Sequence, residues 1–151
     1  MENKGRISKD DYYLAIAKDV SARATCLRRK FGAVIVLNDA IVATGYNGAP
    51  RGTLDSLSAG WCYRVEHDIP PGERYEMCRS VHAEQNAIIH AGRDRTLGAT
   101  LYLSGTDART GELSGMEPCL LCTKMIINAG LARIVVQKTE DRYMEFTLAD
   151  M

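Results

Sequence analysis

The sequence lacks any run that approaches the ~18 apolar residues that a helix needs to cross a bilayer. Its first residues, MENKGRISKDD, also lack the apolar segment of a secretory signal peptide. These two absences argue against a membrane-spanning or secreted protein. We therefore expect the cytoplasm as its compartment and no membrane among its partners.

The sequence also lacks an excess of either charge. Its 19 Lys and Arg residues balance its 19 Asp and Glu residues, and no block of basic residues occurs. A surface that binds polynucleotides through their phosphates is therefore not expected. The 5 cysteines are an odd number and include a Cys-x-x-Cys pair, which favours metal ligation over a disulfide framework.

The length and composition are those of one ordinary globular domain. The chain has 151 residues, of which 46% are hydrophobic and 25% charged, enough for a substantial core. Neither an internal repeat nor a linker occurs. We predict a single domain over residues 1–151.

The order of helical and strand patterns indicates the fold class. Ser8 with Asp11 resembles a capping box that starts a first helix, and Asn38 with Asp39 forms the turn of a hairpin between strands 31–37 and 40–46. Further on, the pattern predicts helices over 81–91 and 118–128, strands over 99–104 and 133–137, and an exposed excursion over 105–115. This order indicates an α/β/α sandwich with helices on both faces of a mixed sheet of four to five strands.

The segment from Asn47 to Ser80 has no clear periodicity. A structureless stretch of this length within a compact domain is improbable unless it is functional or held in place. We therefore expect side chains or a metal ion to anchor it.

Three residues carry the strongest chemical signal. His82, Cys119 and Cys122 are ligands suited to zinc, and three protein ligands leave a fourth tetrahedral position for water or substrate, as in a catalytic site. With Pro118 as the first residue of a helix, the two cysteines share a face at its positive end, which lowers thiol pKa values. The alternative is a structural Cys-x-x-Cys with an unrelated histidine, which would need a fourth ligand that His90, about 12 Å further along a helix, does not supply.

Glu84 follows the histidine by two residues and could manage protons beside the metal. Residues two apart on an ideal helix point to nearly opposite sides. Both side chains can therefore reach one metal only if the metal lies off the N-terminal end of the helix.

The motif H-x-E…P-C-x-x-C is the signature of zinc-dependent deaminases, and the chain resembles the cytidine deaminase superfamily. The sequence VHAEQNAI and the stretch from Gly45 to Gly52, GYNGAPRG, look most like deoxycytidylate (dCMP) deaminases. The resemblance implies hydrolysis of dCMP to dUMP and ammonia, which supplies dUMP for dTMP synthesis, with Glu84 as the catalytic proton carrier. The alternatives are a deaminase of another cytosine or purine nucleoside or base, and a zinc-stabilised binding protein without turnover.

The resemblance also implies substrate and effector contacts. The position of Asn47 contacts the sugar and the backbone at Ala83 contacts the base. Gly48 and Arg51 are candidates for a substrate or regulatory phosphate, such as that of dCTP or dTTP, although Arg51 in a solvated loop is an equal alternative. A homo-oligomer, specifically a hexamer, is implied in the same way.

The remaining cysteines suggest a second, structural zinc. Cys26, Cys62 and Cys78, with His67 among them, form a Cys₃His set, which is a common closed tetrahedral site. Some dCMP deaminases carry such an extra ion. The alternatives are cysteines that merely fill the core and a histidine exposed on a loop.

Overall fold

The computed structural model describes residues 5–150, apart from the side chain of residue 148. Both predicted domain boundaries, residues 1 and 151, lie outside this range. The helices are α1 (Lys9–Ser21), α2 (Ser56–Ala59), α3 (Tyr63–Glu66), α4 (Ala83–Ala91), α5 (Arg93–Thr96) and α6 (Leu120–Asn128). The strands are β1 (Arg29–Leu37), β2 (Ala40–Tyr46), β3 (Thr100–Asp107), β4 (Arg133–Thr139) and β5 (Arg142–Thr147). Short 3₁₀ turns cover Tyr75–Met77 and Leu148–Asp150.

One mixed sheet forms the centre, in the strand order β2-β1-β3-β4-β5. Strands β1 and β2 form the predicted hairpin, and both turn residues have positive φ, 51° at Asn38 and 61° at Asp39. This backbone suits the twist of a two-residue hairpin, and Asn and Asp tolerate it better than most residues. The prediction of the hairpin is confirmed.

Strands β3 and β4 are parallel, and α6 makes the crossover between them. Parallel neighbours need such a crossover, because a tight turn can join only antiparallel strands. The last strand, β5, returns antiparallel to β4 through a tight turn. The sequence predicted four to five strands without deciding whether the fifth is present. Strand β5 is that fifth strand, and no helix lies between it and β4.

Helices cover both faces of the sheet, as predicted. Helix α1 packs on one face against β1 and β3, where Leu14 and Val34 are buried. Helices α4 and α6 lie on the other face, where Leu101 and Ile126 belong to the larger core. The sheet therefore separates α1 from α4 and α6, the helices that carry the metal motif.

Two predicted helices begin later than expected. Helix α4 starts at Ala83 with His82 as its N-cap, and α6 starts at Leu120 with Cys119 as its N-cap. Pro118 is therefore not the first helical residue, because the Cys119 backbone is extended, with ψ 169°, and its sulfur accepts the amide hydrogen of Cys122. Within the described residues, none of the helices is long and apolar enough to span a membrane.

Candidate active site

The N-terminal ends of α4 and α6 lie close together, and the candidate metal ligands are at these two ends. His82 Nδ1 lies 3.1 Å from Cys122 Sγ and 3.5 Å from Cys119 Sγ. The ligand atoms of these three residues all lie within 4.8 Å of one another. The fold thus brings together the three ligands that the sequence singled out.

The position of His82 resolves the spacing problem at Glu84. His82 precedes the helix in an extended conformation, with φ −70° and ψ 154°, while Glu84 lies in the first turn. The Gln85 side chain accepts the backbone amide hydrogen of His82 at 2.9 Å and fixes this helix start. Both side chains can therefore face the same point beyond the helix end.

The thiols of Cys119 and Cys122 have pKa values shifted in opposite directions. A hydrogen bond from Cys122, together with the contact with His82, lowers the pKa of the Cys119 thiol to about 4. The pKa of Cys122 is raised, first because its thiol donates that bond and then because it is buried. A thiolate is therefore available at Cys119, and thiolates are the form that binds metal.

Glu84 is only 5% exposed, and its burial raises the pKa of the carboxyl group. The Glu84 carboxyl group in turn contributes to the raised pKa of the Cys122 thiol. Glutamate is almost never buried to this extent without a partner. A buried carboxyl beside a metal-ligand set is a typical arrangement for proton transfer.

The donor chemistry fits zinc. One imidazole nitrogen and two sulfurs are the ligands of several catalytic zinc sites, where a fourth position stays open. A closed structural site would need a fourth protein ligand. Among residues 5–150, His82, Cys119 and Cys122 are the only group of three or more His, Cys, Asp and Glu residues whose ligand atoms all lie within 4.8 Å of one another.

A cavity of about 190 Å³ opens in front of these residues. Its wall includes Glu84 and His82 at the base and the cationic side chains Arg28 and Arg29. Further lining residues are Cys26, Phe31, Asn47, Arg64, Gly72, Tyr75, Cys78, Ser80, Ala83, Leu103, Met116, Glu117 and Cys119. The cavity is therefore lined both by candidate catalytic residues, His82 and Glu84, and by basic side chains.

The predicted substrate contacts divide into two groups. Asn47 and Ala83 line the cavity, and Asn47 also braces β1. Its side-chain oxygen accepts from the Phe31 amide at 2.7 Å, and its side-chain nitrogen donates to the Arg29 carbonyl at 2.9 Å. These bonds leave one amide hydrogen and one lone pair of Asn47 for a ligand.

Gly48 and Arg51 do not line this cavity. Gly48 pairs with Val81 through reciprocal backbone hydrogen bonds of 3.1 and 2.7 Å. The Arg51 guanidinium contacts His90 Nε2 at 3.2 Å, near the C-terminal end of α4. A contact between Arg51 and a phosphate stays a prediction.

The residues of the predicted second zinc site are less closely gathered. Cys26 and Cys78 line the cavity and Cys62 is buried. Burial raises the pKa of Cys78, and the neighbouring Cys26 and Cys62 raise it further. His67 is exposed, its ring stacks on that of Tyr63, and its Nδ1 lies 2.9 Å from the Tyr63 carbonyl oxygen. The second zinc site stays a prediction.

Among the residues of the cavity wall that the sequence did not single out are three arginines and a tyrosine. Arg64 and Tyr75 fall in the stretch that lacks periodicity, Arg28 and Arg29 lie immediately before and at the start of β1, and none of the four belongs to a motif. A usable signal was the excess of arginine near the first cysteines, because arginine is the residue most suited to phosphate recognition.

A mixed five-stranded sheet with helices on both faces is the α/β architecture of the cytidine deaminases. The family model for the cytidine and deoxycytidylate deaminase zinc-binding region matches residues 7–138. The chain belongs to this family. The match includes all three ligands and the buried glutamate.

Relatives and solved structures agree with this family. The chain is 35% identical over 133 residues to the deoxycytidylate deaminase of Mycobacterium phage D29, and the match covers 85% of this chain and 94% of the relative. It is 32% identical to that of Schizosaccharomyces pombe, where the match covers 88% of this chain but only 38% of the relative. A crystal structure of dCMP deaminase from the cyanophage S-TIM5, in complex with dCMP and dUMP, superposes with a TM-score of 0.60 at 25% identity, covering 87% of this chain and 83% of that chain.

Proposed function

We propose that this protein is a zinc-dependent hydrolase that converts dCMP to dUMP and ammonia, within one catalytic domain. The observation that carries the proposal is the convergence of His82, Cys119 and Cys122 beside the buried Glu84. The family and the deaminases among its relatives support the same reaction. The cytoplasm is the proposed compartment, because its reducing conditions keep metal-binding thiols free.

His82, Cys119 and Cys122 are the residues that would hold the zinc ion. Zinc supplies Lewis acidity that makes water nucleophilic near neutral pH. Glu84 accepts a proton from the attacking water as oxygen bonds to C4 of cytosine. It delivers this proton to N3, then takes the remaining proton of the new C4 hydroxyl and delivers it to the amino group, so that the C4–N bond breaks, the C4 carbonyl forms and ammonia leaves. Burial of Glu84 suits this role, because a raised pKa lets the same group act as base and acid.

The basic part of the cavity supports a nucleotide rather than a nucleoside. Arg28 donates one hydrogen bond to the Ile69 carbonyl at 3.2 Å, and its guanidinium has further N–H groups. The Arg29 side chain makes no hydrogen bond within residues 5–150 and lines the same cavity. A guanidinium recognises phosphate through paired donors. We therefore assign Arg29, with Arg28, to the 5′-phosphate.

The test of the reaction is ammonia release from a panel of dCMP, CMP, deoxycytidine, cytosine and the corresponding purine compounds, with zinc content measured on the same sample. We expect dCMP to give the highest kcat/KM. Preference for another compound would overturn the substrate but keep the deaminase. No release from any compound, with zinc bound, would favour a binding protein without turnover.

The phosphate assignment has its own comparison. We expect Arg29→Gln to raise the KM for dCMP while leaving the much weaker reaction of deoxycytidine unchanged, because only dCMP carries the phosphate. Arg51→Ala is the matched variant. If Arg51→Ala alone changes the KM for dCMP, the phosphate lies near the glycine-rich stretch instead.

We propose that dCTP and dTTP are effectors that bind near Gly48 and Arg51. The contact between Arg51 and His90 supports a regulatory site here. It connects the stretch after β2 to α4, the helix that carries the catalytic Glu84. Activity at subsaturating dCMP, measured with and without each triphosphate in wild type and Arg51→Ala, tests this. An unchanged response in the variant would remove Arg51 from regulation.

We further propose a homo-oligomer, with the hexamer as the state to test. Large apolar side chains are exposed on the helices that flank the site, with Leu120 72% and Ile89 65% exposed. Leu121 and Ile127, also on α6, are exposed as well. Light scattering coupled to size-exclusion chromatography measures the state, and a Leu120→Ser/Ile89→Ser double variant that stays assembled would place the interface elsewhere.

We propose a second, structural zinc at Cys26, Cys62, His67 and Cys78. Cys26 and Cys78 line the same cavity, and both Cys26 and Cys62 raise the pKa of Cys78, which supports this proposal. Elemental analysis should give two zinc ions per chain, falling to one in Cys62→Ser. One ion in wild type would remove the second site, and two ions in His67→Ala would remove His67 from its ligands.

A further inference from the structure

Arg64 is a buried cation without a carboxylate partner among residues 5–150. Its side chain lies in α3 and only 6% of the residue is exposed. Nε donates to the Glu73 carbonyl at 3.0 Å, and Nη2 donates to the Pro70 carbonyl at 2.9 Å. Buried arginine is rare unless it is paired. Here its partners are backbone carbonyls, so the side chain holds the loop after α3 in one shape.

The same guanidinium covers an aromatic ring. Arg64 Cζ lies 4.4 Å from the centroid of the Tyr75 ring, within the range of a cation–π contact. The Tyr75 hydroxyl accepts the amide hydrogen of Gly72 at 3.0 Å, which fixes the other end of the ring. Tyr75 is therefore held from two directions, although it lies on an irregular segment.

Tyr75 in turn contacts a metal ligand. Its ring centroid lies 4.9 Å from that of His82, with the two planes at 84°. Nδ1 of His82 faces the two sulfurs. The other ring nitrogen, Nε2, has no hydrogen bond within the described part of the chain.

Metal-binding histidines usually donate this second N–H to a carboxylate, a carbonyl or water, which fixes the ring orientation. The ring of Tyr75 is the aromatic group that packs edge-to-face against the imidazole at this site. Edge-to-face contacts have a preferred geometry and can orient a ring.

We propose that Tyr75, clamped by Arg64, is a positioning residue that fixes the His82 imidazole for metal binding. The irregular segment after α3 is then part of the active site's support. This inference rests on the proposed zinc site. It goes beyond that site because it assigns a role to residues outside the motif.

The chain offers a matched control on the same segment. Arg79 Cζ lies 5.2 Å from the centroid of the Trp61 ring, and neither residue lines the cavity. Trp61→Ala and Arg79→Met thus remove a pair of the same kind without changing His82, Cys119, Cys122 or a residue that lines the cavity. Tyr75→Ala, Tyr75→Leu, Tyr75→Phe and Arg64→Met form the test set.

The measurements are zinc affinity by competition with a chromogenic chelator and the visible absorption spectrum of the cobalt(II)-loaded protein. We expect Tyr75→Ala and Tyr75→Leu to weaken zinc binding by about 10- to 100-fold, the range seen when supporting groups of metal ligands are removed. Their cobalt spectra should shift. Tyr75→Phe keeps the ring and loses only the hydrogen bond from Gly72, so its loss should be much smaller than that of Tyr75→Leu. Arg64→Met should likewise give a smaller loss of the same sign.

Wild-type zinc affinity and an unshifted cobalt spectrum in Tyr75→Leu would overturn the proposal. Equal losses in the Trp61 and Arg79 variants would also overturn it, because they would show a general effect of loosening the segment. Ammonia release by wild type is recorded in the same series. If wild type binds zinc but releases no ammonia, the proposed function fails while the affinity comparison still decides the role of Tyr75.

Discussion

Arg133, at the start of β4, binds Asp10 in the first turn of α1 through two parallel hydrogen bonds of 2.9 and 2.7 Å. The hydroxyl groups of Tyr102 and Tyr143 also donate to this carboxylate, at 2.7 and 3.0 Å. Arg133 has a second carboxylate partner in Glu145 on β5. One partly buried cluster therefore joins the N-terminal helix to three neighbouring strands.

The first prediction concerns this cluster. Hydrogen bonds from Arg133 hold the pKa of Asp10 far below its usual range. A group with a lowered pKa in the folded state stabilises the fold above its unfolded pKa, near 4, and loses that contribution as the pH falls further. We expect Asp10→Asn to lower the free energy of unfolding by about 1.5–3 kcal/mol at pH 7, the range for hydrogen bonds to charged groups.

Urea unfolding measures the free energy of unfolding at pH 7 and at pH values below about 4. The difference between wild type and Asp10→Asn should shrink as the pH falls below about 4. Asp141→Asn, in the exposed turn between β4 and β5, is the control and should match wild type. A difference that stays constant with pH would show that ionisation of Asp10 is not the cause.

The features that the sequence predicted depend on local order. Asn38 with Asp39 encodes the hairpin turn, and the spacing of Cys119 and Cys122 places both thiols at one helix end. The distant approach of His82 to these thiols came from the family motif rather than from spacing. Its physical basis, an N-cap position outside the helix, appears only in the structure.

The features that the sequence did not predict depend on distant or backbone partners. Arg64 is satisfied by carbonyl oxygens, which every residue carries, so no residue type marks its partners. Strand β5, RYMEFT, is mostly exposed and has no regular alternation of polar and apolar residues. Its pairing with β4 decides its conformation. The partnership of Asp10 and Arg133 spans most of the chain and leaves no local pattern.

A second prediction concerns the contact between β2 and α4. A Cβ on Gly45 would lie 2.5 Å from the Ala83 carbonyl oxygen and would also collide with the Ala87 amide nitrogen. Gly45→Ala must therefore push away α4, whose N-cap is His82. We expect a loss of about 1–3 kcal/mol in the free energy of unfolding, as for other overpacked sites, together with weaker zinc binding.

Gly32→Ala provides the comparison on the opposite face. A Cβ there would collide with the backbone of Ala17 and Ser21 in α1. It should destabilise the protein in a similar way but leave zinc affinity unchanged, because α1 carries no ligand of the catalytic set. Thermal unfolding and chelator competition measure the two quantities. Wild-type zinc affinity in Gly45→Ala would show that α4 adapts without moving His82.

A third prediction separates chemistry from metal binding. Glu84→Gln preserves the shape of the side chain but cannot accept the proton, so we expect kcat to fall by about 10²- to 10⁴-fold with zinc retained. Cys119→Ala removes a ligand, and both zinc and stability should be lost, because metal binding contributes to folding. Elemental analysis, calorimetry and the ammonia assay distinguish the two variants. Near-wild-type turnover in Glu84→Gln would rule out its role in proton transfer.

The last prediction concerns the rim of the cavity. Lys138 on β4 donates to the Gly115 carbonyl at 2.7 Å and contacts the Glu117 carboxylate at 3.3 Å. Met116 and Glu117 line the cavity immediately before Cys119. The lysine side chain is only 24% exposed, so this clamp is partly shielded from water. It holds the end of the excursion after β3 against the sheet.

Removing the clamp should loosen the cavity wall without removing a metal ligand. We expect Lys138→Met to raise the KM for dCMP by up to about tenfold, since loss of a charged hydrogen bond costs about 1.5 kcal/mol and 1.4 kcal/mol is a factor of ten. Zinc content should not change. Lys138→Arg should restore most of the affinity, and Lys124→Met, on the exposed side of α6, is the control. If Lys138→Met raises KM no more than Lys124→Met does, the excursion is held by its other contacts, such as the backbone hydrogen bond from Ser114 to Gly105.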